Sequence, residues 1–130
     1  MTAAAAKPLS ETLAWSYAHD VPPVPVAPGV SARSLWRDET GRHAVLVEIA
    51  PSASLSRSAA DDVQLAIYVI NGGIVIDDRY YGQGAFVYCP GGRAASMSSH
   101  EGALLVIVKL GGGASPFSWQ ACAPRIKRVD

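Results

Sequence analysis

A single carboxylate stands inside an otherwise apolar run and is the first candidate for acid/base chemistry. Glu48 interrupts the run Ala44–Ala50, in which strand alternation would place successive side chains on opposite faces. If the carboxylate faces the interior, desolvation raises its pKa and suits it to general acid or base work. If it faces outward, it is solvated or pairs with an arginine on the exterior. The residue pattern leaves both orientations open.

Other reactive side chains lie where structural roles are favoured. His100 and Glu101 form an adjacent acid/base pair, but they precede Gly102 in a predicted surface turn. Cys89 lies in a predicted strand with no histidine near it in sequence, which favours a buried structural thiol over a nucleophile. The chain contains no Gly-x-Ser-x-Gly nucleophile elbow. Nucleophilic catalysis by serine or cysteine is therefore not favoured.

Composition and charge exclude several classes of partner. Apolar residues make up 49% of the chain and charged residues 17%, below the roughly 25% that is typical. Eleven basic residues balance eleven acidic ones, so no long-range field favours nucleic acid or an anionic membrane. No run approaches the roughly 18 apolar residues of a membrane span, and the N-terminus lacks the apolar core of a signal peptide. We therefore expect a cytoplasmic protein that binds neither nucleic acid nor membrane.

Short apolar runs separated by turn residues predict an all-β domain. We expect an N-terminal extension over residues 1–20 and one barrel over residues 21–130, a length that can bury a core without disulfides. Asn71-Gly72 is a strong hairpin signal and predicts a chain reversal at that point. The predicted strands are Val30–Trp36, His43–Ala50, Leu65–Ile70, Ile74–Ile76, Ala85–Cys89 and Ala103–Leu110.

The order and spacing of prolines and glycines resemble those of the cupin family. The family's first motif contains a glycine, two histidines, a glutamate and a closing glycine; its second contains a glycine, Pro-x-Gly and a histidine. Ser52 stands at the opening glycine and Gly72 at the closing one, while Gly84, Pro90 and Gly92 fall on the second motif. The resemblance covers roughly residues 20–110 and implies one double-stranded β-helix, or jelly-roll, barrel.

Segments inside and around the two motifs add to the resemblance. Asp77-Asp78 falls where a hairpin between the motifs is expected. Pro28-Gly29-Val30 precedes Leu35-Trp36-Arg37-Asp38, and Glu101-Gly102 precedes the last apolar run. These features resemble the cupin branch that includes the sensor domain of ChrR-type anti-sigma factors. By analogy alone, this branch implies a sensor or ligand-binding role.

The positions at which a cupin binds metal carry residues that cannot coordinate one. The resemblance places the two histidines at Ser58 and Ala60 and the glutamate at Leu65. It places the last histidine at Ala95, or at Ala94 if the register shifts by one. A metal requires imidazole nitrogens and a carboxylate that converge on one ion. We therefore expect no metal site, no cofactor and no dioxygenase chemistry.

Small side chains at these positions predict an open, mostly apolar pocket for a small-molecule ligand. Strand alternation predicts that Ser58, Ala60, Leu65 and Ile67 face inward together. Tyr88 is expected to donate a phenolic hydrogen bond into the pocket, or else to be a core or interface residue. The predicted substrate-binding residues are Arg57, Ser58, Gln64, Leu65, Ile67, Ala95, Ser96 and Ser98, and the catalytic candidates are Glu48 and Tyr88.

Three functions fit this pattern. The first is a metal-independent cyclase, isomerase or dehydratase that acts on a small apolar oxygenated metabolite by acid/base chemistry. The second is a non-catalytic small-molecule-binding or sensor domain. The third is a structural partner that has lost its activity and pairs with an active homologue. Small residues at the former metal site favour the enzyme. Because cupins commonly associate through their sheets, we also expect a homodimer.

Overall fold

The computed structural model describes residues 13–58, 62–111 and 120–121, the last two by their backbone alone. Within this part of the chain, a short 3-10 turn at Ala18–Asp20 precedes ten β-strands, and no helix is long and apolar enough to cross a membrane. The strands are β1 Val24–Ala27, β2 Val30–Arg37, β3 His43–Ile49, β4 Ser54–Arg57, β5 Gln64–Ile76, β6 Arg79–Gly82, β7 Phe86–Cys89, β8 Ala95–Ser98, β9 Ala103–Gly111 and β10 Gln120–Ala121.

Two antiparallel sheets share strand β5. The larger sheet has the order β1-β2-β3-β9-β5-β7, and it uses the first part of β5. The smaller sheet has the order β10-β4-β8-β5-β6, and it uses the last part of β5. The sheets therefore close around one interior as a jelly-roll barrel, which confirms the predicted fold class.

The chain reversal predicted at Asn71-Gly72 is wrong. Strand β5 continues through this position, with an irregularity in its pairing with β9 just before Asn71. Gly72 has a φ of 74°, and a side chain there would collide with the backbone of Gly102. Glycine is needed because the backbones approach closely and β5 changes direction from one sheet to the other.

The reversal occurs a few residues later, at the turn predicted between the two motifs. Asp77 and Asp78 have φ values of 49° and 71° and join β5 to β6. Positive φ at both central residues is the conformation that matches the twist of a two-residue hairpin. The Asp77 carboxylate also accepts a hydrogen bond from the backbone N–H of Ser96 at 3.2 Å, which ties this turn to β8.

Inward-facing residues of both sheets form one aliphatic core. Burial alternates along β3 and β9, as expected for strands with one face on a core. Full burial of a large aliphatic side chain contributes about 1.5–3 kcal/mol, so this alternation fixes which face turns inward. The most deeply buried apolar residues are Val47, Leu55, Val63, Leu65, Ile67, Val69, Ile74, Met97, Leu105 and Ile107.

Three buried basic side chains lie at one end of the barrel, which we call the polar end. It comprises the start of β3 and the ends of β4 and β9, where His43, Arg57 and Lys109 are buried. His43 and Lys109 are cross-strand neighbours, and His43 Nε2 lies 2.7 Å from the Ser34 hydroxyl. Arg57 Nη2 donates a hydrogen bond to the Val63 carbonyl at 2.6 Å. Such contacts offset the cost of removing charge from water.

Candidate functional site

A cavity of about 240 Å³ lies at the polar end of the barrel. Its walls come from the end of β4, the β5–β6 hairpin, the end of β7 and the start of β8. These four regions meet because β8 pairs with both β4 and β5. The cavity is lined by Arg57, Ile76, Asp77, Arg79, Tyr81, Val87, Tyr88, Cys89, Pro90, Arg93 and Ala95.

The lining of this cavity is rich in charged side chains. Among its described residues, Arg57, Arg79 and Arg93 carry guanidinium groups and Asp77 carries a carboxylate. Arg93 Nη2 lies 3.3 Å from the Asp77 carboxylate. The Arg79 guanidinium lies 5.5 Å from the centroid of the Tyr81 ring, a cation–π distance. Arg57, at the base, is only 5% exposed.

Cys89 supplies a neutral thiol to the cavity wall. Burial raises the pKa of this thiol above its ordinary value, Asp77 raises it further, and the positive charges of Arg57 and Arg93 act in the opposite direction. The net direction is upward, so the protonated thiol is favoured at neutral pH. This environment suits a packing group better than a thiolate nucleophile.

Two of the predicted substrate-binding residues line the cavity, and two others lie in the core. Arg57 and Ala95 line it and are cross-strand neighbours. The half-buried Ala95 leaves space where the resemblance places a metal-binding histidine. Leu65 and Ile67 face inward as predicted, but they belong to the packed core and do not line this cavity. Their role is to support its walls.

Several predicted site residues face away from the interior. Ser58 is exposed because Arg57 occupies the inward position at the end of β4, and a shift of one residue exchanges the two faces of a strand. Gln64 is exposed at the start of β5. On β8, Met97 points into the core, so Ser96 and Ser98 lie on the outer face and their predicted position in the pocket is wrong. Ala60 falls outside the described residues.

The two catalytic candidates are not brought together. Glu48 is exposed on the outer face of the larger sheet because Val47 and Ile49 occupy the inward positions of β3. Tyr88 reaches the rim of the cavity, but it is 50% exposed and alternates with the buried Cys89. The inward orientation considered for Glu48 is therefore wrong, whereas Tyr88 stays a candidate at the rim of the cavity.

Sequence reasoning missed four polar or aromatic residues of the cavity. Asp77, Arg79 and Tyr81 belong to the β5–β6 hairpin, and Arg93 follows the Pro90-Gly91-Gly92 turn. Charged residues in turns are normally solvated, so their type alone gave no sign of a shared site. Two sequence features together could have indicated them: the predicted hairpin and the second motif. Both turns then fall beside Ala95, where the cupin motif has its histidine.

The donor set of this cavity does not fit the metal that cupins commonly bind. Among residues 13–58 and 62–111, no group of three histidine, cysteine, aspartate or glutamate side chains is placed to hold an ion. Leu65 and Ala95 occupy ligand positions of the motifs, and guanidinium groups repel a cation. The described residues of this cavity therefore do not form a cupin-type metal site.

A second cluster of polar residues lies at the opposite end of the barrel. The Tyr80 ring packs over Gly73, and its hydroxyl donates to the Glu101 carboxylate at 3.2 Å. Burial and this hydrogen bond both raise the pKa of Tyr80. His100 and Ser98 border the same shallow depression. The adjacent acid/base pair noted in the sequence is thus far from the cavity at the polar end.

A barrel of two sheets that share one strand, with a cavity at one end between the motif turns, defines the cupin class. A family model described as the ChrR cupin-like domain matches residues 13–113. The chain therefore belongs to the ChrR cupin-like family.

Solved structures agree on the fold. An RmlC-like cupin from Shewanella frigidimarina is 15% identical, with a TM-score of 0.67 over 75% of this chain and 90% of its own. KdgF from a Halomonas species is also 15% identical, with a TM-score of 0.66 over 75% and 94% of the two chains. The polyketide cyclase RemF from Streptomyces resistomycificus is 17% identical, with a TM-score of 0.62 over 85% and 86%. The comparison with curated proteins gave no significant match.

Proposed function

We propose that this cupin binds a small molecule in the cavity at the polar end. The observation that carries the proposal is the cavity itself: it combines apolar walls with a few convergent polar groups, the general form of a ligand site. Ala95 keeps this space open, and Arg57 provides a fixed polar group at its base. An open cavity with a fixed polar group is sufficient for a non-catalytic binding or sensor domain.

Filling the cavity tests this proposal. Ala95→Phe introduces an aromatic ring into the space, whereas Ser96→Phe places the same ring on the outer face of the same strand. Fragments that raise the melting temperature of the wild type should also stabilise Ser96→Phe and should not stabilise Ala95→Phe. A screen of small acids, amides and alcohols by differential scanning fluorimetry makes the comparison. Equal stabilisation of both variants would place the ligand elsewhere.

A second candidate is a metal-independent enzyme of the cyclase, isomerase or lyase type. It is supported by the solved neighbours, one of which is described as a polyketide cyclase and another as an ectoine synthase, and by the presence of two tyrosines, Tyr81 and Tyr88, among the lining residues. A phenol can donate a proton to a developing oxyanion. A small oxygenated metabolite with an apolar body would be the substrate.

Catalysis and binding are separated by removing a hydroxyl group while the ring is kept. Turnover should persist in EDTA and should fall in Tyr81→Phe or Tyr88→Phe, while ligand binding is retained. Glu48→Gln serves as the control, because Glu48 lies outside the cavity. Ligand binding with no turnover of any bound compound would leave the sensor function as the better description.

We also propose that the protein is a cytoplasmic homodimer. Apolar side chains on the outer face of the larger sheet support the dimer: Leu46, Val106, Tyr68 and Phe86 form a cross-strand row, in which Phe86 is 67% exposed and Tyr68 47%. An apolar patch of this kind on a sheet commonly marks an interface between subunits. The buried, unoxidised thiol of Cys89 is compatible with a reducing compartment.

A further inference from the structure

We propose that the interface of the homodimer is completed by an N-terminal arm of each subunit, which packs on strand β7 of its partner. The arm comprises residues 13–17, in which Leu13, Trp15 and Tyr17 alternate with small residues. This inference rests on the proposed dimer and names the segment that closes its interface. The juxtaposition that carries it is a fixed, exposed aromatic arm at one side of the larger sheet and an exposed Phe86 at the other.

The arm presents most of its apolar surface to solvent. Leu13 is 92% exposed, Trp15 81% and Tyr17 62%. A single exposed apolar side chain is ordinary on a protein surface, but a contiguous exposed group of this size marks a contact with a partner. Residues 13–18 carry no charge, so the arm has the composition of the fully buried part of an interface.

Hydrogen bonds attach the arm to the barrel and leave its rings outside. Ser16 Oγ donates to the Leu35 carbonyl at 2.7 Å. Just after the arm, Arg33 Nη1 donates to the carbonyls of Ala18 and Val21 at 3.1 Å and 2.7 Å. These contacts hold the arm beside β2. Because its backbone is already fixed, less conformational entropy is lost when a partner covers the rings.

The arm and the apolar row lie on the same face of the larger sheet. Ala18 borders a depression of this face together with Leu46, and Leu46 is the cross-strand neighbour of Arg33. The row begins at Leu46 and ends at Phe86 on β7. Strands β3, β9 and β5 separate β2 from β7, so the arm and Phe86 lie towards opposite edges of the face.

Two-fold symmetry brings these opposite edges together. When two larger sheets face each other about an axis parallel to their strands, the β2 side of each copy lies over the β7 side of its partner. Pairing across the sheet places Leu35, which holds Ser16, at the level of Val87 and Tyr88. The arm of each copy then meets the outward-facing Phe86 and Tyr88 of the other. The contact is made twice, as an isologous interface requires.

The exposed apolar area favours an interface that includes the arm over one made by the row alone. A standard interface buries about 800 Å² on each partner. At about 150–250 Å² for a large side chain, the exposed parts of Tyr68, Phe86 and Tyr88 amount to about 350 Å². By the same measure, the three large side chains of the arm add about 500 Å². Arm and row together therefore reach the area that a stable dimer needs.

A disulfide between subunits tests the contact directly. Trp15→Cys and Phe86→Cys are prepared as separate full-length chains with different affinity tags, mixed and mildly oxidised. The mixed dimer keeps one native contact between arm and β7, and the other should form a disulfide that peptide mass spectrometry locates at these two positions. Trp15→Cys mixed with Val24→Cys is the control, because Val24 is exposed on β1, away from β7. A yield no higher than that of the control would overturn the inference.

Removal of the Trp15 ring measures what the arm contributes. Trp15→Ala should raise the dissociation constant of the dimer about tenfold or more, as measured by sedimentation velocity. Its circular dichroism should stay unchanged, because the ring is exposed and supports no core residue. Val24→Ala removes an exposed side chain from β1 and should leave the dissociation constant as it is in the wild type.

The outcomes separate failure of the arm contact from failure of the dimer. If Trp15→Ala dimerised as tightly as the wild type while Phe86→Glu was monomeric, the arm contact would be wrong and the proposed dimer would stand. A wild type that is monomeric at about 100 μM would overturn both.

Discussion

Asp38 organises the turn between β2 and β3 through both of its carboxylate oxygens. Oδ1 accepts hydrogen bonds from the Thr40 backbone and hydroxyl groups and from the Arg42 backbone, at 2.7–3.0 Å. Oδ2 accepts one from Arg42 Nε at 2.8 Å. Burial alone would raise the pKa of Asp38, but the hydrogen bonds from Thr40 and Arg42 outweigh it and lower the pKa from 3.8 to about 2.

Replacement of Asp38 should therefore produce a pH-dependent loss of stability. Because the folded-state pKa is lower than the unfolded one, the ionised carboxylate stabilises the fold fully above pH 3.8, and this contribution is lost as the pH falls towards about 2. Asp38→Asn should be less stable than the wild type at pH 7, and the difference should shrink on acidification. Urea unfolding at several pH values measures this difference in the free energy of unfolding.

The neighbouring carboxylate provides the control for this prediction. Glu39→Gln removes the same charge from an exposed position of the same turn. It should leave the pH profile of stability close to that of the wild type. A difference between wild type and Asp38→Asn that stayed constant from pH 7 to pH 2 would show that the carboxylate charge is not what stabilises this turn.

At the scale of single elements, the turn of the β5–β6 hairpin contains an aspartate that tolerates a positive φ, although glycine would adopt it at lower steric cost. Asp78 has a φ of 71°, where glycine has no steric cost. Asp78→Gly should raise the free energy of unfolding by about 0.5 kcal/mol, since Asp-Gly is a preferred pair for this turn. Asp78→Val should lower it by about 1–2 kcal/mol. Thermal unfolding of the two variants tests these opposite effects. A change in stability of the same sign in both variants would contradict the prediction.

Strands with an alternating apolar pattern could be predicted from the sequence to within a residue or two. The predicted strands Val30–Trp36, His43–Ala50 and Ala103–Leu110 correspond to β2, β3 and β9. Strands β4 and β8 have no apolar run to mark their bounds, because their segments are rich in serine. They form by pairing with each other across a long stretch of chain, as Ser56 does with Ser96. Such pairing is set by the fold and not by local propensity.

The residues of the candidate site likewise divide into those that the sequence could predict and those that it could not. Ala95 could be placed beside the cavity because the second motif fixes its position in the barrel, whereas Arg57 entered only as a neighbour of Ser58. The inward orientation of Ser58 failed by one residue, since period-two alternation turns a small error of register into the opposite face. Arg79 and Arg93 lie beside two turns that are far apart in sequence, and only the predicted hairpin and the second motif taken together indicate that these turns meet in the closed barrel.

At the scale of the whole molecule, the outer face of the larger sheet determines the expected assembly. Phe86→Glu and Tyr68→Glu place charge in the middle of the apolar row and should convert a dimer to a monomer, while circular dichroism stays unchanged. Val24→Glu, an exposed site at the edge strand β1, is the control. Analytical ultracentrifugation measures the mass of the assembly that the wild type and each variant form in solution. A monomeric wild type, or a dimer that survives both substitutions, would rule out this interface.

Because β5 belongs to both sheets, neither sheet can open without breaking hydrogen bonds of the other. Strand β9 pairs with its first part and β6 and β8 with its last part. The barrel should therefore unfold as one cooperative unit, without an intermediate in which a single sheet survives. In native-state hydrogen exchange, the amides of β5 from Val69 to Ile76 should exchange only through global unfolding. Faster exchange there than in β3 would show that the two halves of the barrel open separately.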